Sequence, residues 1–549
     1  MGPLTRKNLL IAAGYASVLI IGMVLGPKFA RENDNTRSGS FLPFGLGDRS
    51  PKIERILKTI DENYVDSIRV ETLQHKAIEE IVQQLDPHTA YLPPEEAQLL
   101  TEDLEGNFNG IGIEYYILND TILITSVTPD GPAFQAGVLR GDRILKIDNV
   151  ESSGTSISAN KVVKQIRGKS GSTVRLSLLR GDELKTVDVV RGKITISSID
   201  VAYMLEKQTG YIKISRFGDQ TDEDFIASLQ QLQKRGLKNL VLDLRQNGGG
   251  YLNSATELAD QFLGDKKLIV YTQGVHEPRT DYYATASGAF EQGKLIVLID
   301  ENSASASEIV AGAVQDLDRG TIIGRRSFGK GLVQEQFDFG DGSALNLTVA
   351  RYYTPSGRSI QKSYKKGIED YYDEVGLRMK NGELTSDGKQ VSDTGYSKQK
   401  TYTTASGKVV YGGGGIMPDI YVPIDTSGYT PYYYELSAKG ILNDYVFNHL
   451  ATKDIQYKSV VELINSFKLP DSSFQKIKQM AASRNIAVNE RQAALSRRLI
   501  EADLKALLAR YLFGDEGFYR ALNSEDQVIA RSIDVLKRSP VLSKTPPAI

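Results

Sequence analysis

The stretch ENSASASEIVAGAVQD, residues 301–316, sets Ser303, Ser305 and Ser307 at alternate positions before an apolar, alanine-rich run. With KLIVLID ahead of it, the pattern reads as a buried strand, a short turn, and a helix with Ile309, Val310, Ala313 and Val314 facing inward. The serines therefore fall at a strand-to-helix junction. Amides at a helix N-terminus favour developing negative charge, so a nucleophile and half an oxyanion hole can share such a turn. Serines there also serve as plain helix caps, and a nucleophile needs a base. The four histidines, His75, His88, His276 and His449, are scattered, and His276 sits in QGVHEPRT without a clear strand context. A Ser-His-Asp set would have to assemble in space. Lys330, between two glycines in RRSFGKGLVQEQF, is the other candidate base. A solvated lysine titrates near 10.4, so acting at neutral pH needs a fall of roughly 3 units, which burial against apolar neighbours can supply. Left in an open turn, Lys330 would be only a surface charge.

The rest of the composition narrows the chemistry. The chain has 549 residues, of which 40% are hydrophobic, enough for roughly three to four domains. Its 66 Lys and Arg nearly cancel 68 Asp and Glu, giving a net charge of -2 and no global drive toward nucleic acid. There is no cysteine, hence no disulfide, thiolate nucleophile or thiolate metal site, and the histidines form no HxxxH-type pair. No metal, nucleotide or organic cofactor is implied.

These residues need elements to hold them. Residues 9–26 run without a charge behind Arg6 and Lys7, and as a helix would span about 27 Å, close to a bilayer's hydrocarbon thickness. GPKFARE beyond it offers no good small-x-small cleavage site, so the segment reads as an uncleaved signal anchor (1–26) followed by a polar linker (27–50). Helical spacing of Ile53, Ile56, Leu57, Ile60 and Tyr64, then of Ala77, Ile78, Ile81, Val82 and Leu85, predicts a helical module over 51–104.

From Phe108 the period shortens. GIGIEYYI, TILITSVT, DRILKIDN and TVRLSLLRG are β-branched runs, with helical stretches at GPAFQAGV and SANKVVKQIRG. The order and the pieces NGIGIE and GPAFQAGVLRGDRILKIDN resemble a PDZ domain, placed at 105–193. That resemblance implies that a peptide C-terminus adds a strand to the sheet edge, its carboxylate held by backbone donors around Gly110 and Gly112 and its last side chain against Ile111 and Ile113. Residues 194–425 alternate strand and helix, an α/β layer pattern, and 426–549 are helical again, with Gly514 a stop after Leu504, Leu507, Leu508 and Tyr511.

SASASEIVAGAVQD and FGKGLVQ, with DLRQNGGG upstream, ARYYTPSGRSIQ and GGGGIMPDI downstream and a PDZ-like domain ahead, resemble the carboxyl-terminal processing peptidases, also called tail-specific proteases. The resemblance covers about residues 51–425. It implies an α+β, multidomain fold: N-terminal helical module, PDZ domain, crotonase-like α/β protease core and helical C-terminal region. The family uses a serine nucleophile and a lysine base twenty-five residues apart, with a glutamine four after the lysine, which here selects Ser305, Lys330 and Gln334. Ser303 and Ser307 then become its neighbours, as apt to cap the helix as to serve any other role. The family's oxyanion hole implies the Ala306 amide with Gly249 or Gly250. Arg167, in QIRGKSG, is the implied residue coupling tail binding to activity. The implied function is a serine endopeptidase for processing or degrading envelope proteins, anchored in the cytoplasmic membrane with its body in the periplasm or outside. Its implied substrates are proteins or peptides with apolar C-termini, a homo-oligomer or an adaptor protein is left open, and no nucleic acid is expected. A catalytically inactive PDZ adaptor or envelope scaffold is the competing reading.

Overall fold

A computed structural model of the chain describes residues 52–118, 120–154, 157–385, 400–451 and 457–538. The anchor and linker expected over 1–50 lie outside the described residues. Among those described, no helix is long and apolar enough to cross a membrane.

Residues 1–77 form one unit, of which the described part holds the helix Lys52–Asn63. All else belongs to the second unit, residues 78–549. The module expected to be helical over 51–104 is not wholly so. After LDPHT the chain forms a short strand, Ala90–Leu92, that pairs antiparallel with Ala344–Tyr353 of the protease core. Three residues bounded by prolines are too few for periodicity to announce a strand.

The PDZ domain has the expected order. Strands Ile113–Leu118, Thr121–Val127, Arg143–Ile147, Thr173–Arg180 and Glu183–Val190 build one sheet, with helices Pro132–Gln135 and Ala159–Ile166 against it. The core is Ile122, Ile124, Ile144, Val174, Leu176 and Leu178, the inward-facing residues of alternating strands. The chain enters and leaves this domain through a two-stranded ribbon in which Asn107–Gly110 pairs with Gly192–Thr195.

The protease core is layered. Strands Thr209–Ile214, Asn239–Asp243, Lys294–Ile299, Thr321–Gly324 and Ile420–Tyr421 run parallel, with Ile199–Glu206 antiparallel at one edge. Parallel strands are covered on both faces, and these read as near-continuous apolar runs for that reason. On one face Ile212, Leu240, Leu242 and Val297 pack against helices Thr221–Lys234, Leu252–Asp260 and Ala306–Asp316. On the other, Tyr203, Tyr211, Val241, Ile296 and Leu298 meet Val528, Ile529 and Leu536 of the helix Gln527–Arg538. The C-terminal helices thus cover the protease sheet. The long helix Glu490–Asn523 breaks at Gly514 (φ 68°, ψ -159°), where a stop was expected, and then resumes. A second sheet carries Ala90–Leu92, Leu268–Gln273, Thr280–Tyr283, Leu332–Asp338 and Ala344–Tyr353.

Candidate active site

Every residue of the helix Ala306–Asp316 is buried, polar ones included. Ser305 stands just before it at φ 53°, ψ -114°, a region L-residues avoid at a cost of about 1–3 kcal/mol. The surroundings impose this bend. The Ser305 N–H donates to Glu308 Oε2 at 2.9 Å. Gly249 of the DLRQNGGG turn lies so close that a Cβ there would come within 2.8 Å of Ser305 Cβ.

The three serines divide their roles. Ser303 Oγ donates to Leu244 O at 2.8 Å and accepts the Asp300 N–H at 2.9 Å. Ser307 Oγ donates to Asn247 O at 3.0 Å. Both are fully buried. Of the roles left open for them, neither caps the helix; both staple the serine loop to the DLRQNGGG turn. That leaves Ser305, half-buried and lining a cavity of about 560 Å³ together with Gly249, Gly250, Lys330, Gln334 and Tyr352.

Lys330 sits in a loop whose backbone is tied on every side. Glu308 accepts the Gly329 and Lys330 N–H groups at 2.8 Å each and the Ser327 hydroxyl, Gln361 Oε1 accepts the Gly331 N–H at 2.7 Å, and Tyr352 Oη lies 2.6 Å from Lys330 O and 3.1 Å from Ser305 O. One carboxylate and one phenol therefore fix Ser305 and Lys330 relative to each other. Burial pushes the Lys330 ammonium below its ordinary value, against the opposing pull of Glu308 and Asp86. Burial likewise pushes Glu308 up to about 7, while its four donors favour the carboxylate. Neither Glu308 nor Tyr352 was singled out from sequence, although both lie in the stretches SASASEIV and ARYYTPSG that carried the resemblance.

Gln334 lies on the same wall, its Nε2 donating to Thr348 Oγ1 at 3.2 Å. The Gly249 N–H donates to Asn247 Oδ1 at 2.9 Å, and Gly250 lines the same cavity. The turn is anchored from beneath: Asp243, held low by the guanidinium beside it, pairs with Arg245, and Arg245 reaches Asp526 of the C-terminal region at 2.7 Å. Of the histidines, His276 is exposed in a turn away from this wall. His88 is the one near Lys330: its Nε2 lies 2.7 Å from Tyr371 Oη, and burial with the nearby Lys330 charge pushes it down to about 4. It is neutral at pH 7.

The helix Ile368–Lys380 brings Arg378, which donates to the carbonyls of Arg326 and Ser327 ahead of the base loop. GGGGIMPDI closes beneath it, Ile416 N–H donating to Ser327 Oγ at 2.6 Å.

At the PDZ domain, Gly112 takes φ 75°, and a Cβ there would meet Ile194 and Thr128 at 3.1–3.2 Å. This bend breaks the strand alternation. Ile111 is consequently sealed in the domain core with no exposed surface, while Ile113 opens the edge strand half-buried. Ile111 therefore builds the loop and offers no free face, contrary to the expectation for it. Arg167 ends the helix Ala159–Ile166; its Nη1 lies 2.9 Å from Glu102 Oε2 and its guanidinium 4.2 Å from the Phe108 ring centroid. Glu102 belongs to the helix Pro94–Glu105, whose Leu100, Thr101, Asp103 and Leu104 line the Ser305 cavity.

Among the described residues no cluster of metal-ligating side chains occurs. A PDZ domain joined to a layered core that sets a strained serine and a half-buried lysine on one cavity fits a serine-type peptidase with built-in peptide recognition. Comparison with known proteins agrees. Residues 208–372 match peptidase family S41, 109–190 a PDZ domain, and 432–514 a family of unknown function, DUF8443. The chain is 38% identical over 362 residues to the carboxy-terminal-processing protease of Bartonella bacilliformis, covering 65% of this chain and 80% of that one. It is 34% identical over 320 residues to a probable CtpA-like serine protease of Staphylococcus haemolyticus, covering 58% and 63%. Among solved structures it is similar to a photosystem II D1 C-terminal processing protease, at 30% identity and TM-score 0.32, over 56% of this chain and 83% of that one. The chain belongs to the carboxyl-terminal processing peptidases.

Proposed function

We propose that Ser305 is the nucleophile and Lys330 the general base of this peptidase, with Gln334 orienting the lysine. The observation that carries the reading is the shared anchoring of both residues on Glu308, at the rim of one cavity. Ser305 Oγ attacks the scissile carbonyl carbon as its proton passes to neutral Lys330 Nζ. The new oxyanion is met by the Ala306 N–H and a glycine N–H of the 248–250 turn. Collapse expels the amine, which takes the proton from Lys330. Water, deprotonated by the again neutral Lys330 Nζ, then attacks the acyl-enzyme carbonyl, and collapse releases the acid as the proton returns from Lys330 to Ser305 Oγ.

Substrates reach this site by their C-termini. The PDZ strand Ile113–Leu118 is a sheet edge facing the helix Ala159–Ile166, the arrangement that strand addition requires. Gly110 and Gly112 supply the carboxylate loop and Ile113 the apolar contact. A charged terminal side chain would be poorly solvated there. A partly unfolded protein ending in apolar residues should be cleaved faster than the same protein ending in Asp-Asp, and Ser305→Ala should cleave neither. Equal rates for the two tails would remove the PDZ domain from selection, and cleavage by Ser305→Ala would remove the nucleophile. The body works outside the cytoplasm on the 9–26 anchor. A reporter active only outside the cytoplasm, fused after residue 47, should be active, and activity of a cytoplasm-only reporter there would overturn the orientation.

A further inference from the structure

Gln334 stands opposite Thr348 in the strand ladder, just after a register shift between Val333 and Gln334. Such a bulge re-aims the side chain that follows it. The Gln334 amide donates from Nε2 to Thr348 Oγ1 at 3.2 Å, and Thr348 Oγ1 donates onward to Asp86 Oδ1 at 3.1 Å. Asp86 is buried and also accepts the His88 N–H at 2.8 Å, the Thr89 N–H at 3.0 Å and the Thr89 hydroxyl at 2.7 Å. Thr89 Oγ1 in turn accepts the Thr348 N–H at 3.2 Å.

The direction of this chain of hydrogen bonds is forced. A carboxylate with four donors on it only accepts, and a hydroxyl carries one hydrogen. Since Thr348 gives its hydrogen to Asp86, only lone pairs face Gln334. Only the amide NH2 satisfies them, which leaves Oε1, on the other branch of the amide, as the end free to serve the cavity that Gln334 and Lys330 both line. The orientation matters to the reaction. A carbonyl oxygen accepts a lysine N–H and leaves the nitrogen lone pair free for the Ser305 proton. An NH2 in its place would donate into that lone pair and block it.

We propose that Asp86, acting through Thr348, is a positioning residue that fixes which end of the Gln334 amide faces Lys330. The LDPHT segment, remote in sequence from the protease core, thereby takes part in the reaction without touching substrate. This rests on the Ser305–Lys330–Gln334 reading.

The test measures kcat and KM of the full chain on one substrate. Thr348→Val, which keeps the shape and removes the hydroxyl, should lower kcat by about tenfold to a hundredfold, as misplacement of a proton-transfer group does, with KM within about twofold. Thr348→Ser should recover most of that loss. Thr348→Val combined with Gln334→Ala should be no slower than Gln334→Ala alone, and Asp86→Ala should add nothing on the Thr348→Val background. If Asp86→Ala fails to fold, the Thr348 variants decide. A Thr348→Val enzyme with wild-type kcat, a Thr348→Ser enzyme as slow as Thr348→Val, or losses that multiply with Gln334→Ala would each overturn the proposal. Gln334→Ala with wild-type kcat would instead overturn the role of Gln334 itself, whereas an impaired Gln334→Ala beside an intact Thr348→Val would overturn only the relay.

Discussion

Removing a single oxygen separates the serines of residues 301–316. Ser305→Ala takes away the proposed attacking atom and should abolish turnover while leaving the melting temperature nearly unchanged. Ser303→Ala strands a buried N–H and a carbonyl, each costing about 1–3 kcal/mol. It should lower the melting temperature while turnover per folded molecule stays near wild type; equal loss of turnover in both variants would mean the nucleophile is misplaced. Lys330→Arg should be inactive despite keeping the charge, because guanidinium does not deprotonate in proteins. Glu308 bears on the expected pH response. As the proposed base, Lys330 must be neutral to accept a proton, so activity should rise as pH climbs through its lowered folded-state value, and the Glu308 charge opposes that lowering. Glu308→Gln should cost most of the activity, since its NH2 cannot accept the N–H groups now on one oxygen. The residual activity should rise at lower pH than in the wild type. A pH–rate profile whose rising limb stays in place, or moves up, would separate Glu308 from the base.

Among the described elements, the helix Pro94–Glu105 faces both the PDZ domain and the Ser305 cavity. Lys164 and Arg167 of the PDZ domain reach Glu95 and Glu102 on it at 2.8 and 2.9 Å. The Arg167–Glu102 pair is partly exposed, so it is worth no more than about 1 kcal/mol, a several-fold bias between docked and released positions. Arg167→Ala and Glu102→Gln should therefore change cleavage by the same few-fold factor, with peptide-tail affinity constant, and the effect should shrink at high salt. Parallel loss of affinity, by titration with a C-terminal peptide, would make Arg167 a binding residue. An unaltered rate in both variants would leave the pair a surface contact.

At the scale of the whole molecule, the C-terminal helices belong to the protease. Val528, Ile529 and Leu536 bury against the outer face of the parallel sheet, at about 1.5–3 kcal/mol each, and Asp526 completes the pair under the DLRQNGGG turn. Tyr519 and Asn523 add hydrogen bonds of 2.7 Å each to Asp200 and Tyr203. Deleting residues 525–549 should lower the melting temperature sharply and expose an apolar sheet face that aggregates. A truncated chain that melts and turns over like the full one would show the covering to be dispensable. The same region holds the PDZ domain, where Tyr116 stacks on Phe447 at 5.6 Å and Arg140 lies 4.0 Å over Tyr511.

The amino-acid sequence determined what is local. Alternation of apolar residues fixed the PDZ strands and their order, continuous apolar runs marked the parallel sheet, and the motifs around Ser305, Lys330 and DLRQNGGG were contiguous enough to be read. Period and spacing report a residue's own neighbours along the chain. Which serine stands free, by contrast, was decided by hydrogen bonds from Ser303 and Ser307 to a turn some sixty positions away. Glu308 looked like one more helix residue until Gly329 and Lys330 came to it from across the fold, and Asp86 matters only because a three-residue strand seats it beside Thr348. Ile111 went to the core because Gly112 turned left-handed between two isoleucines of matching type. Contacts of this kind depend on where distant segments meet, and no pattern along a single segment encodes that.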